Sequence, residues 1–168
     1  MTDDAPRAAS FRFGRARRLT GRGAFKSVLD ARARVDCGAF ALHAKPSDAP
    51  LARFGISIGR RCGTAARRNR IKRLLREAFR LSQHELPRDA PAPYDLVVVV
   101  RPHEPMPLDE YRGRLLEAIG RLHATWMKRH QRAERTAMTE DAARRTADAA
   151  PEAMRESATD APRPPHDC

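Results

Sequence analysis

Residues 67–80 read RRNRIKRLLREAFR, and this stretch decides how the rest of the chain is read. Wound as an α-helix at about 100° per residue, it gathers Ile71, Leu74, Leu75, Ala78 and Phe79 on one side. Asn69, Lys72, Arg73, Arg76 and Arg80 fall on the other side. Between Arg60 and Arg80 there are nine basic residues and one acid, Glu77, which most simply neutralises one of the cations. A solvated surface helix usually alternates sign to gain i,i+4 pairs. Here nearly all signs agree, so neighbours repel unless a polyanion lies across them. The pattern predicts a helix bolted to a core by its apolar face, presenting a rigid row of cations on the other. Most of those cations are Arg, whose planar fork suits phosphate and can stack on bases. Asn69 adds a donor and an acceptor that plain charge neutralisation would not need. Structured RNA fits best. Duplex DNA remains open, as does an anionic membrane surface, although the apolar face is also needed to cover a sheet.

Working upstream, residues 54–60 alternate Phe54, Ile56 and Ile58 against Gly55, Ser57 and Gly59, the period of a half-buried strand. Residues 39–45 alternate Phe40 and Leu42 against Ala41 and His43. A short strand over 33–36 is weakly signalled. Phe25, Val28 and Leu29, at i, i+3, i+4, mark a first helix over 22–31. Thr64 is a plausible N-cap for the basic helix, which should run to about residue 84. Downstream, residues 94–101 contain Leu-Val-Val-Val-Val, a strand buried on both faces. After Pro102, Pro105 and Pro107, Asp109 should cap a third helix ending near residue 128. Its apolar positions are Tyr111, Leu115, Ile119, Leu122 and Trp126. The expected fold is α+β, about four strands and three helices in the order αβββαβα. The strands flanking the basic helix form a βαβ unit if parallel, and the handedness rule then favours a right-handed crossover. One domain over 11–130 is expected, with a disordered segment over 1–10 and a disordered or partly helical tail over 131–168.

The formal net charge is +12 over 168 residues. It is concentrated: residues 1–130 hold 27 basic and 13 acidic side chains, whereas 131–168 hold six Arg and eight acids. A compact domain that basic repels itself and calls for a polyanion. Cys37, Cys62 and Cys168 form no CxxC pair or metal-ligand spacing, which suits free thiols in a reducing cytoplasm. There is no signal-peptide pattern, and the longest apolar run, 96–100, is too short to span a bilayer. The chain shows no GxGxxG, P-loop, HExxH or GxSxG, and its carboxylates Glu77, Asp95 and Glu104 are isolated. A nuclease site of its own would need metal-binding carboxylates or a partnered base. No protein-borne active site is therefore expected, and His43 reads as a surface residue rather than a metal ligand.

Arg68-Asn69-Arg70-Ile71-Lys72-Arg73, followed by Arg76-Glu77 and Phe79-Arg80, resembles the RNR signature of the bacterial ribonuclease P protein family. The resemblance continues through Leu19-Thr20, Ala24–Leu29, Phe54–Ile58 with Arg60-Arg61, and Tyr94–Val99, covering about residues 11–130. It implies a fold similar to the second domain of ribosomal protein S5, with a left-handed βαβ crossover against the general rule. It implies that a catalytic RNA subunit cleaves the 5′ leader from precursor tRNA using Mg²⁺, the protein alone binding no cofactor. The RNA-facing residues it implies are Arg61, Arg68, Asn69, Arg70, Lys72, Arg73 and Arg76, in a basic row that also includes Arg60, Arg67 and Arg80. It further implies a leader cleft between sheet and first helix, lined by Phe25, Leu29, Ala41 and His43. Phe25 reads equally well as a core residue. More aromatic members have Phe and Tyr where this chain has Leu29 and His43, so cations should carry more of the leader binding here. A ribosome-assembly protein binding folded RNA without turnover is the alternative.

Overall fold

The computed structural model describes residues 13–156, with side chains described as far as 145. The expected 1–10 segment, the end of the tail and Cys168 lie outside the described residues. Three helices and four strands follow one another in the expected order. They are α1 (Arg22–Asp30), β1 (Arg34–Asp36), β2 (Phe40–Pro46), β3 (Arg53–Ile58), α2 (Ala65–Ser82), β4 (Tyr94–Val100) and α3 (Leu108–Glu156). The strands form one sheet in the order β1-β2-β4-β3. β3 and β4 run parallel and the other pairs antiparallel, so β3, α2 and β4 make the βαβ unit.

Alternation along the strands divides the sheet into two faces. Phe40, Leu42, Ala44, Phe54, Leu96 and Val98 are buried in the main core, together with the apolar faces of α2 and α3. Ala41, His43, Val97, Val99, Gly55 and Ser57 point the other way by register. There Val28 of α1 closes a smaller cluster with Leu19 and Val97. β4 lies at the centre of this sandwich, which is why its whole Val run is apolar.

Three boundaries differ from the sequence reading. β3 ends at Ile58, and Arg60–Cys62 instead form a 3₁₀ turn leading into α2. α3 begins at Leu108 rather than after a cap at Asp109, so Asp109 sits in its first turn. Its charge there favours the positive helix end. α3 also continues to Glu156 rather than ending near residue 128. Residues 129–145 are all exposed, so propensity rather than burial supports that stretch. His130–Glu134 and Arg145–Asp141 add i,i+4 pairs at 3.4 and 2.9 Å. By its internal contacts the chain divides after Lys128 into two units.

Candidate RNA interface

α2 is fixed at its start and along its buried side. The Thr64 Oγ1 accepts from the Arg67 backbone N–H at 3.3 Å, the expected N-cap. Gly63 precedes it at φ +106, and a Cβ there would stand 2.8 Å from Arg67 Cδ, so glycine is required. Ile71, Leu75, Ala78 and Phe79 are fully buried, and Leu74 packs at the edge of the core. The Phe79 ring stacks on Phe54 at 4.5 Å between centroids, with Phe13 edge-on to both. These contacts leave α2 no rotational freedom, so the opposite face is equally fixed.

The basic row divides in two. Arg60, Arg61, Asn69, Arg70, Arg73 and Arg76 are exposed and Lys72 is half-exposed. None of these seven side chains has an acidic partner among the described residues. The other three are engaged by the protein. Arg67 is half-buried, pairs with Glu104 at 2.7 Å and donates to the His103 carbonyl. Arg68 donates to the Gly63 carbonyl at 2.6 Å, and Arg80 makes two bonds to Glu77 at 2.9 and 2.6 Å. The Arg80 hydrogen bond holds the Glu77 carboxyl below its usual range. Glu77 thus neutralises Arg80, as the sequence suggested for one of the cations. Arg67 and Arg68 stand four and three residues before Ile71, which places them beside the apolar face rather than opposite it. That signal was present in the sequence.

The second surface lies on the other side of the sheet, beside α1. Phe25 is half-buried, and its ring covers Gly55 so closely that a Cβ there would meet Phe25 Cζ at 2.5 Å. Phe25 is therefore a packing residue of the small cluster with part of its ring still exposed. Ala41 is buried, whereas Leu29 stands open to solvent at 38 %. His43 is half-buried, and its Nδ1 is enclosed without a hydrogen-bond partner among the described residues. Burial, helped by the nearby Arg34 charge, pushes the His43 imidazole below its ordinary pKa. Two cations here were not singled out from sequence. Arg34 is opposite His43 across the β1–β2 pair, and Lys45, two residues along β2, donates to Ser27 Oγ of α1 at 2.7 Å. Strand alternation could have identified Lys45, but only the register reveals Arg34.

Among the described residues no three His, Cys, Asp or Glu side chains group as a metal site. No described helix is long and apolar enough to cross a membrane.

Residues 13–123 match the family model described as Ribonuclease P. The chain belongs to the ribonuclease P protein family. The ribonuclease P protein component of Desulfatibacillum aliphaticivorans is 35 % identical over 92 residues, spanning 55 % of this chain and 75 % of the relative. That of Thioalkalivibrio sulfidiphilus is 42 % identical over 92 residues, spanning 54 % and 72 %. Among solved structures, the ribonuclease P protein of Thermotoga maritima superposes with a TM-score of 0.54 at 28 % identity, over 62 % of this chain and 96 % of that one. The Staphylococcus aureus protein, at 23 % identity and a TM-score of 0.53, shares the fold over 62 % and 93 %. Membership gives the chain the role of accessory subunit in tRNA 5′ processing, with the ribonuclease P RNA as its partner.

Proposed function

We propose that α2 and the 3₁₀ turn before it seat this subunit on the catalytic RNA through Arg60, Arg61, Asn69, Arg70, Lys72, Arg73 and Arg76. The surface between α1 and the sheet then holds the 5′ leader of precursor tRNA. The observation that carries the first half is the division of the basic row: α2 buries four apolar side chains completely, while five polar ones on its other faces and two in the turn before it have no acidic partner among the described residues. Fixed, desolvation-ready cations suit phosphates, and the held orientation of the helix lowers the ordering cost of binding. Arg68 has donors left over beyond its single bond to Gly63 and joins this face. Arg67 and Arg80 support the surface from within the protein.

The leader half is supported by the mixture of apolar floor and cations: Phe25, Leu29 and Ala41 beside His43, Arg34 and Lys45. A sugar–phosphate strand can lay bases on the former and phosphates on the latter. Phosphodiester hydrolysis itself belongs to the RNA in this reading, with Mg²⁺ held by RNA oxygens, because this chain gathers no carboxylate cluster among its described residues. The subunit would work in the cytoplasm, away from membranes, where precursor tRNA is processed.

Reconstitution tests the proposal. The chain alone should leave precursor tRNA intact, and adding the cognate catalytic RNA should give cleavage at low Mg²⁺. If the chain failed to stimulate that RNA and instead pulled ribosomal RNA from extract, the assembly-protein reading would replace this one.

A further inference from the structure

The loop that follows β4 faces the start of α2 across a cleft bordered by Arg61, Gly63, Arg67, His103 and Glu104. The two cations there fare differently. Arg67 donates to the His103 carbonyl and pairs with Glu104 at 2.7 Å. Arg61 is exposed with no acidic partner among the described residues. Glu104 is the one acid bordering the cleft among the described residues, and its side chain is 85 % exposed. An ion pair that open to water is held only weakly by its own attraction. The course of the loop therefore decides which of the two cations Glu104 meets.

His103 fixes that course. Its Nδ1 lies 2.8 Å from the Arg101 carbonyl oxygen, which can only accept, so in the neutral imidazole Nδ1 carries the proton. Nε2 is then the bare acceptor and takes the Tyr111 hydroxyl at 2.5 Å. The Tyr111 oxygen in turn accepts from the Met106 backbone N–H. Tyr111 is fully buried, and the Arg101 side chain is clamped on Asp36 of β1. The imidazole is thus one link in a chain of hydrogen bonds that all run one way, anchored in the core at one end and on the sheet at the other. A side chain in its place has to accept on one side and donate on the other.

We propose that His103 is a positioning residue for RNA binding: it fixes the loop so that Glu104 stays on Arg67, which leaves the Arg61 guanidinium free for an RNA phosphate. A carboxylate released beside Arg61 would compete with phosphate for the same fork of donors. The inference rests on the reading of α2 and the turn before it as the seat for the catalytic RNA. It adds the reason that an acid bordering that seat does not neutralise it.

Affinity of the full-length chain for the cognate catalytic RNA is measured across salt concentrations, at a temperature where circular dichroism shows each variant folded. His103→Leu, which neither accepts nor donates, should weaken binding about fivefold and shrink the log–log salt slope by about 1, one phosphate contact. His103→Gln keeps an acceptor for the Tyr111 hydroxyl and should recover most of the loss. Adding Glu104→Gln to His103→Leu is the deciding step. Affinity should return to within about twofold of that of Glu104→Gln alone, because no carboxylate is left to take Arg61. His103→Leu with Arg61→Ala should bind no more weakly than Arg61→Ala alone. With Arg76→Ala, farther along the helix, the two losses should multiply. Should His103→Leu fail to fold, Tyr111→Phe, which removes only the hydroxyl, replaces it in the same cycles. Unchanged binding in His103→Leu overturns the proposal. So does a loss that persists in full after Glu104→Gln or multiplies with Arg61→Ala, since general loosening of the loop does either. If Arg76→Ala leaves binding unchanged as well, the α2 reading falls and this inference with it. If Arg76→Ala weakens binding and His103→Leu does not, only the positioning role is lost.

Discussion

Single side chains decide how the α1 surface is built. Gly55 is the floor under Phe25, and any side chain there collides with the ring: the added Cβ would be 2.5 Å from Phe25 Cζ and 3.3 Å from Leu19 Cβ. Gly55→Ala should cost about 1 kcal/mol, at the low end for overpacking, because the half-exposed ring can tilt outward. Thermal unfolding measures the loss, and Phe25→Leu added to Gly55→Ala should recover part of it, since the two sites share one contact. His43 gives the same surface a pH dependence. Its imidazole is held below the ordinary value of about 6.5, by burial first and by Arg34 second. The unfolded chain therefore binds the proton more readily than the folded one does. Stability from this residue is fully present above the unfolded value and falls as the pH drops below about 6.5 toward the depressed folded value. His43→Gln should flatten that part of the stability-against-pH curve in denaturant titrations. An unchanged slope would show that His43 titrates as it does in the unfolded chain.

At the scale of the element, α2 carries two jobs on two faces, and substitutions should separate them. Arg73 and Arg76 are exposed with no partner among the described residues, so replacing both with Ala should leave the melting temperature unchanged. RNA affinity should drop by up to a few kcal/mol, and the log–log salt slope should shrink by about 2, as expected for two lost phosphate contacts. Arg67→Ala should behave in the opposite way. It removes the tie between the first turn of α2 and Glu104 and His103 in the loop after β4, so stability falls by about 1 kcal/mol. Binding measured on the folded fraction changes less. A melting temperature that fell in the Arg73/Arg76 variant and held in Arg67→Ala would reverse the assignment. The same helix shows what sequence can disclose. Its apolar face, its cap at Thr64 and the buried Val run of β4 are written as local patterns, and all three are found in place. The three-residue β1 is too short to show a period, and it exists because Val35 pairs with Leu42 across the ladder. Helical spacing places Arg67 beside the apolar face, but its partner, Glu104, comes from a distant loop that periodicity cannot see.

Across the whole molecule, the division of charge follows the division of structure. Residues 1–130 hold 27 basic and 13 acidic side chains, more than the whole net charge of +12, whereas residues 131–168 contain more acids than bases. The apolar residues of α3 that reach the core are Tyr111, Leu115, Ala118, Ile119 and Leu122, and Trp126 ends the series by donating to the Ala44 carbonyl at 3.0 Å. Beyond that indole, residues 129–145 of α3 are exposed throughout and contribute no buried surface. An isolated helix of such composition is marginal in water, held by propensity and a few weak ion pairs. Deleting everything after Lys128 should therefore leave the unfolding midpoint in denaturant within about 0.5 kcal/mol of the full chain. Ending the chain after Thr125 should cost several times more, because Trp126 and its bond to β2 are then lost. Circular dichroism should show the shorter helix in both variants, so the contrast lies in stability and not in helix content. Equal stability of the two truncations would mean that α3 is already anchored by Leu122, and that Trp126 caps the core without holding it.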